Sequence, residues 1–133
     1  VADVAVADTH ALLFHTSSAS ALGRRAASHF AACELEQAIV YVPAAVVWEV
    51  AVLSRTRRLL LKTSVRDYFD HVFSNPCFQY LDLSMEQILE AHDLTFTRDP
   101  FDGLIVAAAR SLDVPLITRD EAIRASGVVR TLW

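Results

Sequence analysis

Four carboxylates in this chain stand where a carboxylate could do chemistry: Asp8, Glu49, Asp102 and Asp120. Asp8 follows the apolar run Val4-Ala5-Val6-Ala7, and Asp120 comes just past a second one, Pro115-Leu116-Ile117-Thr118. Asp102 sits three residues after Asp99, at the opening of an apolar helical stripe. Glu49 interrupts the run 44–53, which is otherwise wholly apolar. Carboxylates brought together cannot all remain ionised without a counter-charge, and a divalent cation supplies one. All-oxygen, water-rich ligation suits Mg²⁺ or Mn²⁺ better than Zn²⁺. None of His10, His15, His29, His71 and His92 has zinc-ligand spacing. A cation held this way activates water and stabilises charge on phosphate oxygens, which is the chemistry of phosphodiester cleavage.

Each acid also has a purely structural explanation. Asp99 followed by Pro100 is a helix N-cap with proline at the first helical position, and Asp102 in the first turn suits the helix dipole. Glu49 on a helix apolar all round would be buried, and a lone buried carboxylate is costly unless paired or metal-bound. A solvent-facing or arginine-paired Glu49 removes that cost. The cluster of acids, rather than any one of them, favours chemistry.

The elements that must position these acids alternate. Strands are expected at 4–7, 39–42, 78–83, 115–118 and near 128–131. Helices are expected at 10–15, 19–36, 44–55, 64–73, from Ser84 and from Asp99, with a loop or short helix from Arg119. Ser84-Met85-Glu86-Gln87 reads as a capping box. Alternation of this kind predicts an α/β fold: a three-layer α/β/α sandwich around a central parallel sheet of about four to five strands, in one domain spanning 1–133. In such sheets ligands bind beyond the carboxyl ends of the strands, where Asp8 and Asp120 fall.

With 133 residues, 53% of them hydrophobic, the chain can build a real core. Its net charge of -4 argues against generic coating of nucleic acid but not against an enzyme that acts on it through a metal. Cys33 and Cys77 have no metal-ligand spacing and read as reduced thiols of a cytoplasmic protein. No apolar run is long enough to span a bilayer, and the first residues lack the basic start of a signal peptide.

Four segments together resemble PIN-domain ribonucleases, most closely the VapC-type toxins of toxin–antitoxin pairs. Asp8-Thr9-His10-Ala11-Leu12-Leu13 is similar to the opening DTHALLW signature, with Phe14 in place of Trp. Trp48-Glu49-Val50 is similar to the second acidic motif. Arg98-Asp99-Pro100-Phe101-Asp102-Gly103-Leu104-Ile105-Val106-Ala107 is similar to RDPFDRLLVA, with Gly103 where Arg is frequent. Leu116-Ile117-Thr118-Arg119-Asp120 is similar to LVTxD. The resemblance implies a Mg²⁺-dependent endoribonuclease, with Mn²⁺ as a substitute. Asp8, Glu49, Asp102 and Asp120 would be its metal-binding quartet. Thr9 or Thr118 would hydrogen-bond a carboxylate or the attacking water, and Asp99 would be a helix cap first and an auxiliary acid second. It further implies a homodimer and a cognate antitoxin as partner. Gly103 removes a possible phosphate-contacting cation.

RNA must still be held by an acidic domain, and Arg24, Arg25, Arg55, Arg57 and Arg58 are the candidates, against the alternative of a solvated helix face. Two other readings remain. One is an inactive PIN-like binding module. The other is a Mg²⁺-dependent phosphoacceptor domain, which wants adjacent acids after the first strand and a strand-end lysine, whereas Asp8 precedes Thr9 and Lys62 is the only lysine.

Overall fold

The computed structural model describes residues 3–133. Five strands form one parallel sheet: β1 (Asp3–Ala7), β2 (Ala38–Pro43), β3 (Phe78–Leu81), β4 (Leu116–Ile117) and β5 (Thr131–Leu132), in the order β3-β2-β1-β4-β5. Among the described residues seven helices connect or follow them: α1 (Thr9–Thr16), α2 (Arg24–Glu34), α3 (Ala44–Arg55), α4 (Val65–Val72), α5 (Met85–Asp93), α6 (Pro100–Leu112) and α7 (Glu121–Ser126). Successive strand side chains point to opposite faces. Ala5, Val6 and Ala7 are each fully buried, so helices cover both faces of the sheet, as the three-layer expectation requires.

The order of the strands creates the site. The chain builds outward from β1 to β2 and β3, then returns to lay β4 on the other side of β1. Such a reversal opens a crevice at the carboxyl ends of the two strands that flank it. Val6 pairs with Leu116 and Ala7 with Ile117. The Asp8 N–H donates to the Ile117 carbonyl at 3.0 Å. Asp8 and Thr118 therefore leave the sheet side by side.

Several elements differ from the sequence reading. α2 begins at Arg24, not at residue 19, because Gly23 is its N-cap in an extended conformation. A Cβ on Gly23 would stand 2.4 Å from the Trp133 carbonyl carbon, so Trp133 packs against this cap and leaves no room for a side chain there. β3 stops at Leu81 and β5 begins only at Thr131. The capping box is half made. Ser84 Oγ accepts the Gln87 N–H at 3.1 Å, but among the described residues the Ser84 N–H does not donate back to the Gln87 side-chain oxygen; the Gln87 amide N–H donates to Ser111 Oγ on α6 at 3.3 Å. α3 is not buried all round: Ala45, Val46 and Val50 face the core, while Trp48 is 53% exposed. Cys33 is buried and Cys77 half-buried, and both are free thiols. No helix among the described residues is long and apolar enough to cross a membrane.

Candidate active site

Asp8, Glu49, Asp102 and Asp120 do converge. With Asp99 and Glu121 they line one cleft of about 440 Å³ at the carboxyl edge of β1 and β4, together with His10 and Arg119. Four elements meet there: the N-terminus of α1 brings Asp8, α3 brings Glu49, the N-terminus of α6 brings Asp99 and Asp102, and the N-terminus of α7 brings Asp120.

Most of these carboxylates are held by protein donors. Asp8 is buried, 8% exposed. Its Oδ1 accepts the Thr9 N–H at 2.8 Å and its Oδ2 accepts the Thr118 hydroxyl at 2.6 Å. Thr118 Oγ1 in turn accepts the Asp120 N–H at 3.1 Å, so one threonine ties two acids together. Thr9 donates to Glu49 Oε1 at 2.6 Å, which brings α3 to the cleft and relieves the desolvation of the one acid on that helix. Asp120 Oδ1 accepts the Ile123 N–H at 2.9 Å as the cap of α7. Asp99 Oδ1 caps α6, accepting from the N–H groups of Phe101 at 2.8 Å and Asp102 at 3.3 Å. Both threonines thus bond carboxylates, and Asp99 is a helix cap that also lines the cleft.

Asp102 differs. Among the described residues no donor reaches its carboxylate. Burial, then the charges of Asp99, Asp8, Asp120 and Glu49, push its carboxyl up to about 7. Burial also raises Asp8, against hydrogen bonds from Thr118 and Thr9 that lower it. Glu49 is raised by burial and by Asp8 and Asp99, against its bond from Thr9. The cleft holds more negative charge than it can keep ionised, and a cation is the group that relieves it. The donor chemistry fits a hard, oxygen-ligated ion. Among the described residues no three His, Cys, Asp or Glu side chains are yet gathered tightly enough to cage one.

Residues 5–127 match the family model described as the PIN domain. The chain belongs to the PIN-domain family. No curated protein sequence matches it significantly. Solved structures share the PIN fold at low identity. VapBC2 of Rickettsia felis, bound to a DNA fragment from its promoter, has 13% identity and a TM-score of 0.65, with 96% of each chain covered. A toxin–antitoxin complex from Klebsiella pneumoniae has 20% identity and a TM-score of 0.63, with 94% of each chain covered. VapC20 of Mycobacterium tuberculosis, a sarcin–ricin-loop-cleaving toxin, has 15% identity and a TM-score of 0.66, covering 95% of this chain and 98% of that one.

The arginines read from the sequence do not reach the acidic cleft of this PIN domain. Arg24 and Arg25 line a separate cleft with Asp3 and Ala38, at the opposite end of β1 and β2. The Arg55 guanidinium lies 5.4 Å from the centre of the Trp48 ring. Arg57 is exposed just past α3, with φ of 60°. Arg58 lines a groove of about 770 Å³ that adjoins the acidic cleft at His10, with Lys62 on the same wall. Position 103 points at α5 rather than at the cleft: a Cβ there would lie 3.5 Å from the Ala91 carbonyl oxygen. That is an ordinary van der Waals separation, so a small side chain would fit at 103 against α5. The cation that sequence reasoning passed over is Arg119. Its signal was its place between Thr118 and Asp120, at the end of β4.

Proposed function

We propose that this PIN domain is a Mg²⁺- or Mn²⁺-dependent endoribonuclease, acting in the cytoplasm as the toxin of a toxin–antitoxin pair. The observation that carries the reading is Asp102, without a protein donor and raised to about 7, facing Asp8, Glu49 and Asp120 across one cleft. Those four residues would hold the ion. The bound ion supplies counter-charge to the acids, acidifies a water and stabilises charge on the phosphate oxygens. The chain does the rest. Thr118 holds Asp8 in one orientation and ties it to the backbone of Asp120. Thr9 turns Glu49 inward from α3. Asp99 fixes the first turn of α6 and with it the direction of Asp102. The partial positive charges at three helix N-termini lower the cost of gathering the acids.

The antitoxin partner is supported by fold likeness to chains solved in VapBC and toxin–antitoxin complexes, and a homodimer is consistent with the same kinship. The exposed apolar row Met85, Ile88 and Leu89 on α5 is available for such contacts.

Cleavage of labelled single-stranded and structured RNAs by the purified chain tests the reading, with Mg²⁺, Mn²⁺, EDTA and Asp102→Asn in parallel. Cleavage should require metal and vanish in the variant. Cleavage that survives EDTA or the substitution removes the acidic cleft as its source. RNA binding without cleavage in any metal favours the inactive binding module.

A further inference from the structure

We propose that Arg119 is the residue that grips the substrate phosphate in this cleft, held ready on the ring of Phe14. The inference rests on the nuclease reading and names the group that lets a polyanion approach. Six acids line the cleft, and a divalent ion offsets only two charges. Arg119 is the one arginine or lysine among the residues lining it. The exposed guanidinium is not spent on those acids. Among the described residues it makes neither a salt bridge nor a hydrogen bond, although Asp120 and Glu121 follow it directly in sequence.

Arg119 lies instead over Phe14, with Cζ 4.6 Å from the ring centre. Trp133 braces that ring edge-on at 6.4 Å, and His10 flanks it at 6.1 Å. A guanidinium over a ring at an exposed site is weakly held. It keeps its donor fork free for two parallel bonds to phosphate oxygens, a geometry that a lysine ammonium lacks. The same aromatic row leads from the acidic cleft into the groove lined by Arg58 and Lys62, because His10 lines both. Single-stranded RNA suits this path, since unpaired bases stack on aromatic rings while the backbone is held by cations. Arg119 therefore contacts the phosphate at the mouth of the cleft, and Phe14 positions it.

The test uses the full chain and a labelled single-stranded RNA, comparing wild type, Arg119→Ala, Arg119→Lys and Arg130→Ala. Arg130 lies at the far end of the sheet, bonded to the Asp113 carbonyl, and controls for net charge. Arg119→Ala should raise KM by about tenfold with little change in kcat. It should flatten the slope of log Kd against log salt by about 0.7, one phosphate contact on a single strand. It should leave Mn²⁺ binding unchanged or tighter, because it removes a positive charge beside the acids. Arg119→Lys should restore the salt slope but only part of the KM, and Arg130→Ala should resemble wild type. RNA and Mn²⁺ binding that weaken together would show that Arg119 only maintains the shape of the cleft, and an unchanged KM and salt slope would remove it from the substrate path; either overturns the proposal while leaving the nuclease reading intact. A wild-type chain that neither binds nor cleaves RNA overturns both.

Discussion

Two groups of helix N-termini in this molecule solve the same local problem with different residues. α4 and α5 are capped by the hydroxyls of Ser64 and Ser84, each accepting the N–H three residues on. α1, α6 and α7 are capped by the carboxylates of Asp8, Asp99 and Asp120. Serine and aspartate cap about equally well, so capping alone does not require charge. Yet the three aspartate caps open into one cleft, where like charges and burial raise Asp102 and Asp8, whereas the serine caps do not line it. Charge concentrated where a neutral cap would serve points to a use for the charge beyond helix stability.

Replacing the charge while keeping the cap breaks or sharpens that comparison most directly. Asp120→Ser should leave α7 capped and the protein folded, yet reduce RNA cleavage by on the order of 10²-fold. Asp102→Asn should reduce it by on the order of 10³-fold. Wild-type initial rates for Asp120→Ser, with an unchanged melting temperature, would make that residue a cap and nothing more. Next in size is the hydroxyl behind the acids. Thr118→Val removes the donor to Asp8 Oδ2 and should weaken Mn²⁺ binding by about 10- to 100-fold, measured by calorimetry.

A third effect concerns pH. With its carboxyl raised to about 7, Asp102 must lose a proton to take a cation. Mn²⁺ affinity should rise by up to about tenfold per pH unit below 7 and level off above it. A flat profile between pH 6 and 8 would mean that the acids do not share their charge in this way.

The smallest effects are on stability. The Asp102 carboxyl is raised above its ordinary value of 3.8, so the folded chain binds more protons than the unfolded one between about 4 and 7. The resulting destabilisation is absent below pH 4, grows through that window and is complete above 7. Asp102→Asn removes it. Solvent screening at this half-exposed group brings the gain to about 1 kcal/mol, seen as a higher metal-free melting temperature at pH 8 and no difference at pH 4. Ser84→Ala supplies the contrast: it should cost about 1 kcal/mol and leave cleavage unchanged.

Much of the site was legible because its parts carry local signatures. The Asp99-Pro100 opening of α6 is a cap followed by a residue that cannot donate, and it lies as read. Asp8 and Asp120 follow short apolar runs that could only be buried strands. Their meeting follows from the general geometry of parallel sheets. Glu49 was conspicuous because a carboxylate in an apolar run needs a partner, but the run does not say that the partner is Thr9, 40 residues away. The start of α2 was misread because residues 19–23 have acceptable helical composition, and the packing of Trp133 against the Gly23 cap is not visible in sequence. The arginines read from the sequence stand out as charge clusters yet do not line the acidic cleft, whereas Arg119, which does, stands alone.

Sequence by itself determined the alternation of strands and helices, the acids at the strand ends and the family, since hydrophobic period, capping chemistry and short motifs are local properties. Tertiary structure alone decided which acids are braced and which is not, because that depends on hydroxyls reaching Asp8 and Glu49 from residues 110 and 40 positions away. It also decided which arginine enters the cleft, because the reversal of strand order places β4 beside β1 and carries Arg119 over Phe14.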